Sequence, residues 1–226
     1  MKQYYARRYI LFFAGLLLNS LGVAFVTKAS LGTSPIAAIP YSLSLIVPKF
    51  SLGNWMILYC LVLIATQIIL LRKNTEKFEL ILQVVISAFF GYFIDFFMVC
   101  LQNFQPQTYP IKLFSLVVGC VVVAFGAYLE VIADVTMLPG DAFVRAIAKV
   151  FHKDYSRIRV ISDMSMTILA GLLCLIFLHK LSGVREGTVI AAMITGNILK
   201  VFLRFLKPLT LHLLPQEKTN TKEDIK

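Results

Sequence analysis

The sequence predicts an all-α integral membrane bundle of six transmembrane helices. The helices form two inverted three-helix repeats, with a short re-entrant or interfacial helix after spans one and four. Three observations lead there. Of 226 residues, 58% are hydrophobic and 15% charged, and the mean hydropathy is +0.80. A soluble domain carries about 45–50% apolar and about 25% charged residues, so no single soluble core hides this much apolar surface. Six apolar runs approach or reach the roughly 20 residues that a helix needs to cross a bilayer. The basic residues, finally, sort by side.

The elements follow in order. Span one, 9–27, comes after Lys2, Arg7 and Arg8, a start that looks like a signal peptide. Its apolar stretch is longer than a usual signal core and no A-x-A site follows, so it reads as an uncleaved span. A polar break, Lys28 to Pro35, leads into apolar 36–47, which contains Pro40 and ends before Pro48. That stretch is too short to cross. Ser34 suits its N-cap and Pro35 its first turn. Spans two and three are 55–71 and 80–101, and span four is 112–133. A second break, Asp134 to Asp141, precedes a run in which apolar residues alternate with Arg145, Lys149 and Lys153. This reads as a basic amphipathic helix on the cytoplasmic surface. Spans five and six are 160–178 and 188–206, and residues 207–226 form a flexible cytoplasmic tail. All spans are helices, because an isolated strand in lipid leaves its backbone groups unsatisfied. Trp55 and Tyr109 sit where an aromatic interface belt is expected.

Outside the spans, 15 Lys and Arg fall on the side of the N-terminus, the 72–79 and 134–159 loops and the tail, against 5 on the other side. By the positive-inside rule both termini are cytoplasmic. An odd number of spans would destroy this sorting. The net charge of +10 is therefore a topology signal and does not indicate nucleic acid as a partner. Cys60, Cys100, Cys120 and Cys174 lie in or at the ends of apolar runs without CxxC or metal-ligand spacing, so no metal or redox cofactor is expected.

The halves superpose at an offset of 104 residues: Gly15 on Gly119, Gly22 on Gly126, Ala29 on Ala133, Pro35 on Pro139. An offset of 105 continues the match with Ser51 on Ser156 and Gly91 on Gly196. Repeat one covers about 8–101 and repeat two about 112–206 of a single domain, 1–206. Three spans per repeat make the second enter from the opposite side, a common plan of secondary transporters. The six glycines are expected to let helices approach closely.

Three stretches resemble the YczE/YyaS/YitT-like family of bacterial membrane proteins. They are Gly22-Val-Ala-Phe-Val-Thr-Lys-Ala-Ser-Leu-Gly-Thr-Ser-Pro35, Gly183-Val-Arg-Glu-Gly-Thr-Val-Ile-Ala-Ala-Met-Ile-Thr-Gly196, and Pro139-Gly-Asp141 followed by Ile158-Arg-Val-Ile-Ser-Asp163. The resemblance covers about 8–206 and implies a polytopic inner-membrane protein. It carries over no established activity and no binding residues.

Ionisable and polar groups inside spans are functional candidates. Asp95 leads as a proton-coupling carboxylate. Lys200 lies at the matching position of repeat two, and both are expected to face the bundle interior near Asn19 or Asn197. Ser34, Glu130 and Asp134 complete the candidate set for substrate or coupling ion, with Glu130 and Asp134 on a hydrated cytoplasmic face. No HExxH, G-x-S-x-G or P-loop is present, so an enzyme is not expected. The function expected is a secondary transporter of a small solute. The alternatives are a membrane-embedded binding subunit that needs a partner ATPase, and an accessory protein without a ligand. A protein partner or a second copy is compatible with each.

Overall fold

A computed structural model describes residues 2–71 and 77–206. Eight helices form among them: α1 (Lys2–Lys28), α2 (Pro35–Ile46), α3 (Leu52–Leu71), α4 (Lys77–Cys100), α5 (Tyr109–Ala133), α6 (Pro139–Val150), α7 (Tyr155–Leu178) and α8 (Glu186–Phe205). Six are long and apolar enough to cross a membrane, so the chain is a helical membrane bundle as expected. Each long helix begins two to seven residues before the apolar run that signals it. The tail 207–226, and Arg72 and Lys73 of the 72–79 loop, lie outside the described residues.

The order long, short, long, long occurs twice. Helices α1 and α5 form the central pair and run antiparallel. α1 then packs on α4 as α5 packs on α8, and α2 on α7 as α3 on α6. The glycines explain the central pair. A Cβ on Gly15 would stand 2.8 Å from Gly126 O, and one on Gly126 2.7 Å from Gly15 O. Gly22 and Gly119 face each other in the same crosswise manner, each against the other's carbonyl. Small residues at these four places bring the two backbones into contact, which suits packing in lipid, where apolar side chains gain nothing by leaving the solvent.

Both breaks are built alike. α1 and α5 end beside a left-handed residue, Ser30 (φ 59°) and Asp134 (φ 47°), a common helix stop. Each short helix then starts on a proline, whose missing N–H costs nothing at that position. α2 and α6 start against each other: a Cβ on Gly140 would collide with the Ile36 side chain. Residues 31–35 are buried, whereas 47–51 are mostly exposed, so α2 begins inside the bundle and ends at its surface.

α6 departs from the surface-helix expectation. Pro139, Gly140, Ala142, Val144, Ala146 and Ala148 are buried, so the helix enters the bundle between α3 and α7. Its small residues admit it, and its cations reach outward: Arg145 pairs with Glu79 of α4 at 2.6 Å. Gln67 of α3 donates to Pro139 O at 3.1 Å, which satisfies a carbonyl at the buried start.

The halves differ at the α3–α4 pair. α3 and α4 pack tightly through Gly53 and Gly91, each facing the other's carbonyl. The matching α7 and α8 stand apart, and a Cβ on Gly196 would meet nothing within 4 Å. The packing role expected for Gly196 is therefore corrected. Position 158 offers Ile where Gly53 stands, so no second glycine lets the pair close.

Candidate functional site

The bundle has a proximal end, with the N-terminus of α1, and a distal end, with the 28–54, 101–108 and 179–185 connections. At the distal end the first break docks on the start of α8. Gly187 N donates to Leu31 O at 2.8 Å, Thr33 N to Thr188 Oγ1 at 3.2 Å, and Arg185 Nη1 to Ser30 O at 3.1 Å. Thr27 and Thr33 hydroxyls meet at 2.8 Å. Gly32 has φ 116°, and its missing Cβ leaves room for the Thr188 hydroxyl. Two stretches 155 residues apart thus form one polar knot.

Asn19 lies eight residues below Thr27 on α1, about 12 Å along the helix. Its Nδ2 donates to Glu130 Oε1 at 3.2 Å. Glu130 is 7% exposed and lies against Gly15. The hydrated face expected for Glu130 is corrected: the close α1–α5 contact encloses the carboxyl, and the Asn19 amide is its partner. Asp134, by contrast, is exposed at the proximal end. Arg8 Nε donates to Ala133 O at 2.6 Å and its Nη2 pairs with Asp134 Oδ2 at 2.8 Å, which caps the carbonyls at the end of α5.

Asp95 does not face the interior near Asn19. It lies one turn from the distal end of α4, half-buried, and accepts Ser51 Oγ at 2.5 Å and Gly53 N at 2.7 Å. The carboxylate caps the start of α3 from a neighbouring helix, and Gly53 makes the approach possible. Asp95→Ala removes both acceptors and is expected to cost about 1 kcal/mol, as loss of an N-cap does; thermal unfolding in detergent measures it. An unchanged midpoint would rule out the capping role.

Lys200 and Asn197 are exposed on α8, and Asn197 Nδ2 donates to Met193 O at 2.9 Å. Neither meets Asn19, because the interior face of α8 belongs to Gly187, Thr188 and Ala191. Ser34 occupies the N-cap position of α2 without a side-chain cap bond. Among the described residues its buried hydroxyl has no partner. A further cluster ties α6 to α7, where Arg159 pairs with Asp141 and, at 3.3 Å, with Asp163.

Two cavities open at the distal end. The larger, about 630 Å³, is bounded by α1, α2, α5 and the 101–108 connection; the smaller, about 300 Å³, by the first break and residues 180–185. Both are lined by Ser30 and Tyr41. Lys28 and Lys112 line the larger, Lys180 and Arg185 the smaller. Sequence reasoning counted these four cations only as topology signals. Only Lys28 adjoins a break in sequence; the other three mark span ends.

A family model described as a family of unknown function, DUF6198, matches residues 6–204. The uncharacterised membrane protein YczE of Bacillus subtilis (strain 168) is 30% identical over 218 residues, 95% of this chain and 92% of the relative. The uncharacterised protein YyaS of the same organism is 25% identical over 198 residues, 87% of this chain and 92% of the relative. No solved structure matches the chain.

Proposed function

This chain belongs to the family of unknown function DUF6198, and from that premise we propose that it is a secondary transporter of a small solute, coupled to protons through Glu130. It works as a carrier and not as an enzyme. The observation that carries the reading is the meeting of α2 and α6 at their starts, Ile36 on Gly140. Two short helices that begin inside a membrane bundle are a recurring plan of transporters with inverted repeats. The repeated helix order, the paired left-handed stops and the mirrored pairings support an inverted repeat within one domain, 1–206. Rocking of one half against the other about the α1–α5 pair would then open each end in turn. Glu130 replaces Asp95 as the coupling carboxyl. It is enclosed between α1 and α5, one turn from the proximal end of α5, with one neutral partner, whereas Asp95 is committed to a helix start.

Uptake into proteoliposomes is the test. A solute gradient dissipated by the purified protein and accelerated by an inward proton gradient is expected, and no flux of any solute above protein-free vesicles would end the reading. The charge sorting supports a bacterial inner-membrane location with both termini cytoplasmic, which puts the distal cavities outside. Single cysteines at Val47 and Phe151 check it: impermeant reagent should reach the first in intact cells and the second only after lysis. The reverse pattern would overturn the orientation.

One observation favours the binding-subunit reading. Gly196, Asn197 and Lys200 are exposed on α8, and polar groups facing lipid are costly. A membrane partner seated there would cover them. An ATPase subunit that co-purifies, together with no flux by the isolated chain, would favour that reading.

A further inference from the structure

The distal cavities concentrate positive charge beyond what topology needs. Lys28 ends α1 and Lys112 lies in the first turn of α5, and both are half-buried. Lys180 and Arg185 face the adjoining space. Among the described residues, Lys28, Lys112 and Lys180 form no ion pair. Arg185 meets Glu186 only at 3.5 Å, and Asp95 is occupied by Ser51 and Gly53. Among the described residues no carboxylate lines either cavity. Low-dielectric walls around charges of one sign focus the field and raise the local concentration of the opposite ion.

The remaining lining completes a binding chemistry. Gln105, Gln107, Ser44 and Tyr41 bring neutral donors. Burial holds the Tyr41 phenol above its ordinary value, so its O–H remains a donor. One wall is apolar, with Phe50, Met98 and Phe104. Phe104 is held by stacking on Phe25 at 4.8 Å and Phe50 by an edge contact with Trp55 at 5.7 Å. The volumes lie in the range of small-molecule sites, about 300–1,000 Å³.

We propose that the two cavities form one vestibule that binds a small organic anion, with its acidic group between Lys28, Lys112, Lys180 and Arg185 and its carbon skeleton against Phe50 and Phe104. The role of this anion as cargo rests on the transport reading; its binding does not.

The experiment is a titration of the purified protein in phosphatidylcholine nanodiscs. Succinate and inorganic phosphate are the probes, with glycerol and ethylenediamine as neutral and cationic controls, and ionic strength is held with chloride. The thermal midpoint should rise with the anions and not with the controls, as binding to the folded state requires. Lys28→Gln with Lys112→Gln should weaken anion binding at least about tenfold, as loss of hydrogen bonds to charged groups does. Lys180→Gln, in an exposed connection, should weaken it while leaving the ligand-free midpoint unchanged, and Lys112→Arg should retain it. No anion-dependent shift, or equal shifts in the Gln variants, would overturn the proposal.

Nanodiscs containing phosphatidylglycerol separate two sources of the same chemistry. Loss of the succinate shift there would identify a lipid headgroup as the anion, and an unchanged shift a soluble one. The two readings also fail apart. Anion binding without flux in proteoliposomes leaves the site standing and removes transport. Flux of a neutral or cationic solute without anion binding does the reverse.

Discussion

Gly22→Leu is expected to prevent the bundle from assembling. A first carbon at that position would lie 2.5 Å from Val123 Cγ2 and 2.6 Å from Val123 N. The second of these is backbone, so no rotamer relieves the collision and α1 must move away from α5. That movement also opens the Gly15–Gly126 approach and exposes the Glu130–Asn19 pair. Overpacking a well-packed core costs about 1–3 kcal/mol and occasionally more, and here the strain falls on the contact that joins the two halves. The expected result is at least about 2–3 kcal/mol of lost stability, read as a lower melting midpoint in detergent and a smaller monodisperse fraction. Gly196→Leu is the matched control, because nothing lies within 4 Å of its Cβ. It should melt like the parent protein. If Gly22→Leu also melts like the parent, the close α1–α5 approach is wrong.

Glu130→Gln is expected to keep the fold and abolish proton-driven uptake. The glutamine Oε1 can accept from Asn19 Nδ2 as the carboxyl does at 3.2 Å, and the two side chains have nearly the same shape. The amide cannot release a proton. Coupled uptake should fall to the level of protein-free vesicles, a loss of at least about tenfold when the proton gradient supplies about 1.4 kcal/mol of drive or more, while the melting midpoint stays close to that of the parent. Glu130→Leu is the contrast. It strands the Asn19 amide in a buried site, which costs about 1–3 kcal/mol, and should lower the midpoint. Asp95→Asn should leave coupling unaffected, because that side chain serves the start of α3. Full pH-dependent uptake by Glu130→Gln would remove Glu130 from the mechanism.

The sequence by itself determined the number of spans, their helical nature, both breaks with their prolines, and four of the glycine positions at the central crossing. The reason is physical. Whether a segment enters lipid depends on the transfer free energy of its own 20 or so residues, and each backbone must satisfy its hydrogen bonds within that segment. Those quantities are sums over neighbours in the chain. The glycines were legible for a related reason, since a close helix crossing leaves a small residue on each partner and the 104-residue repeat showed which ones correspond.

Only the tertiary structure decided the side-chain partners. Asp95 looked like an exposed cost inside span three until Ser51 and Gly53, 44 and 42 residues away, supplied its donors. Glu130 looked hydrated because it lies near a helix end, and its burial comes from Gly15 and Asn19 on a helix 111 residues earlier. Lys200 and Gly196 repeat Asp95 and Gly91 in sequence but not in surroundings, since α7 and α8 do not close as α3 and α4 do. The distal vestibule is likewise a product of packing. Lys28, Lys112, Lys180 and Arg185 each mark a span end when read along the chain, and they line two adjoining cavities only because α1, α2, α5 and the 179–185 connection meet there. A charge acts on whatever is near it in space, and distance along the chain carries no record of that.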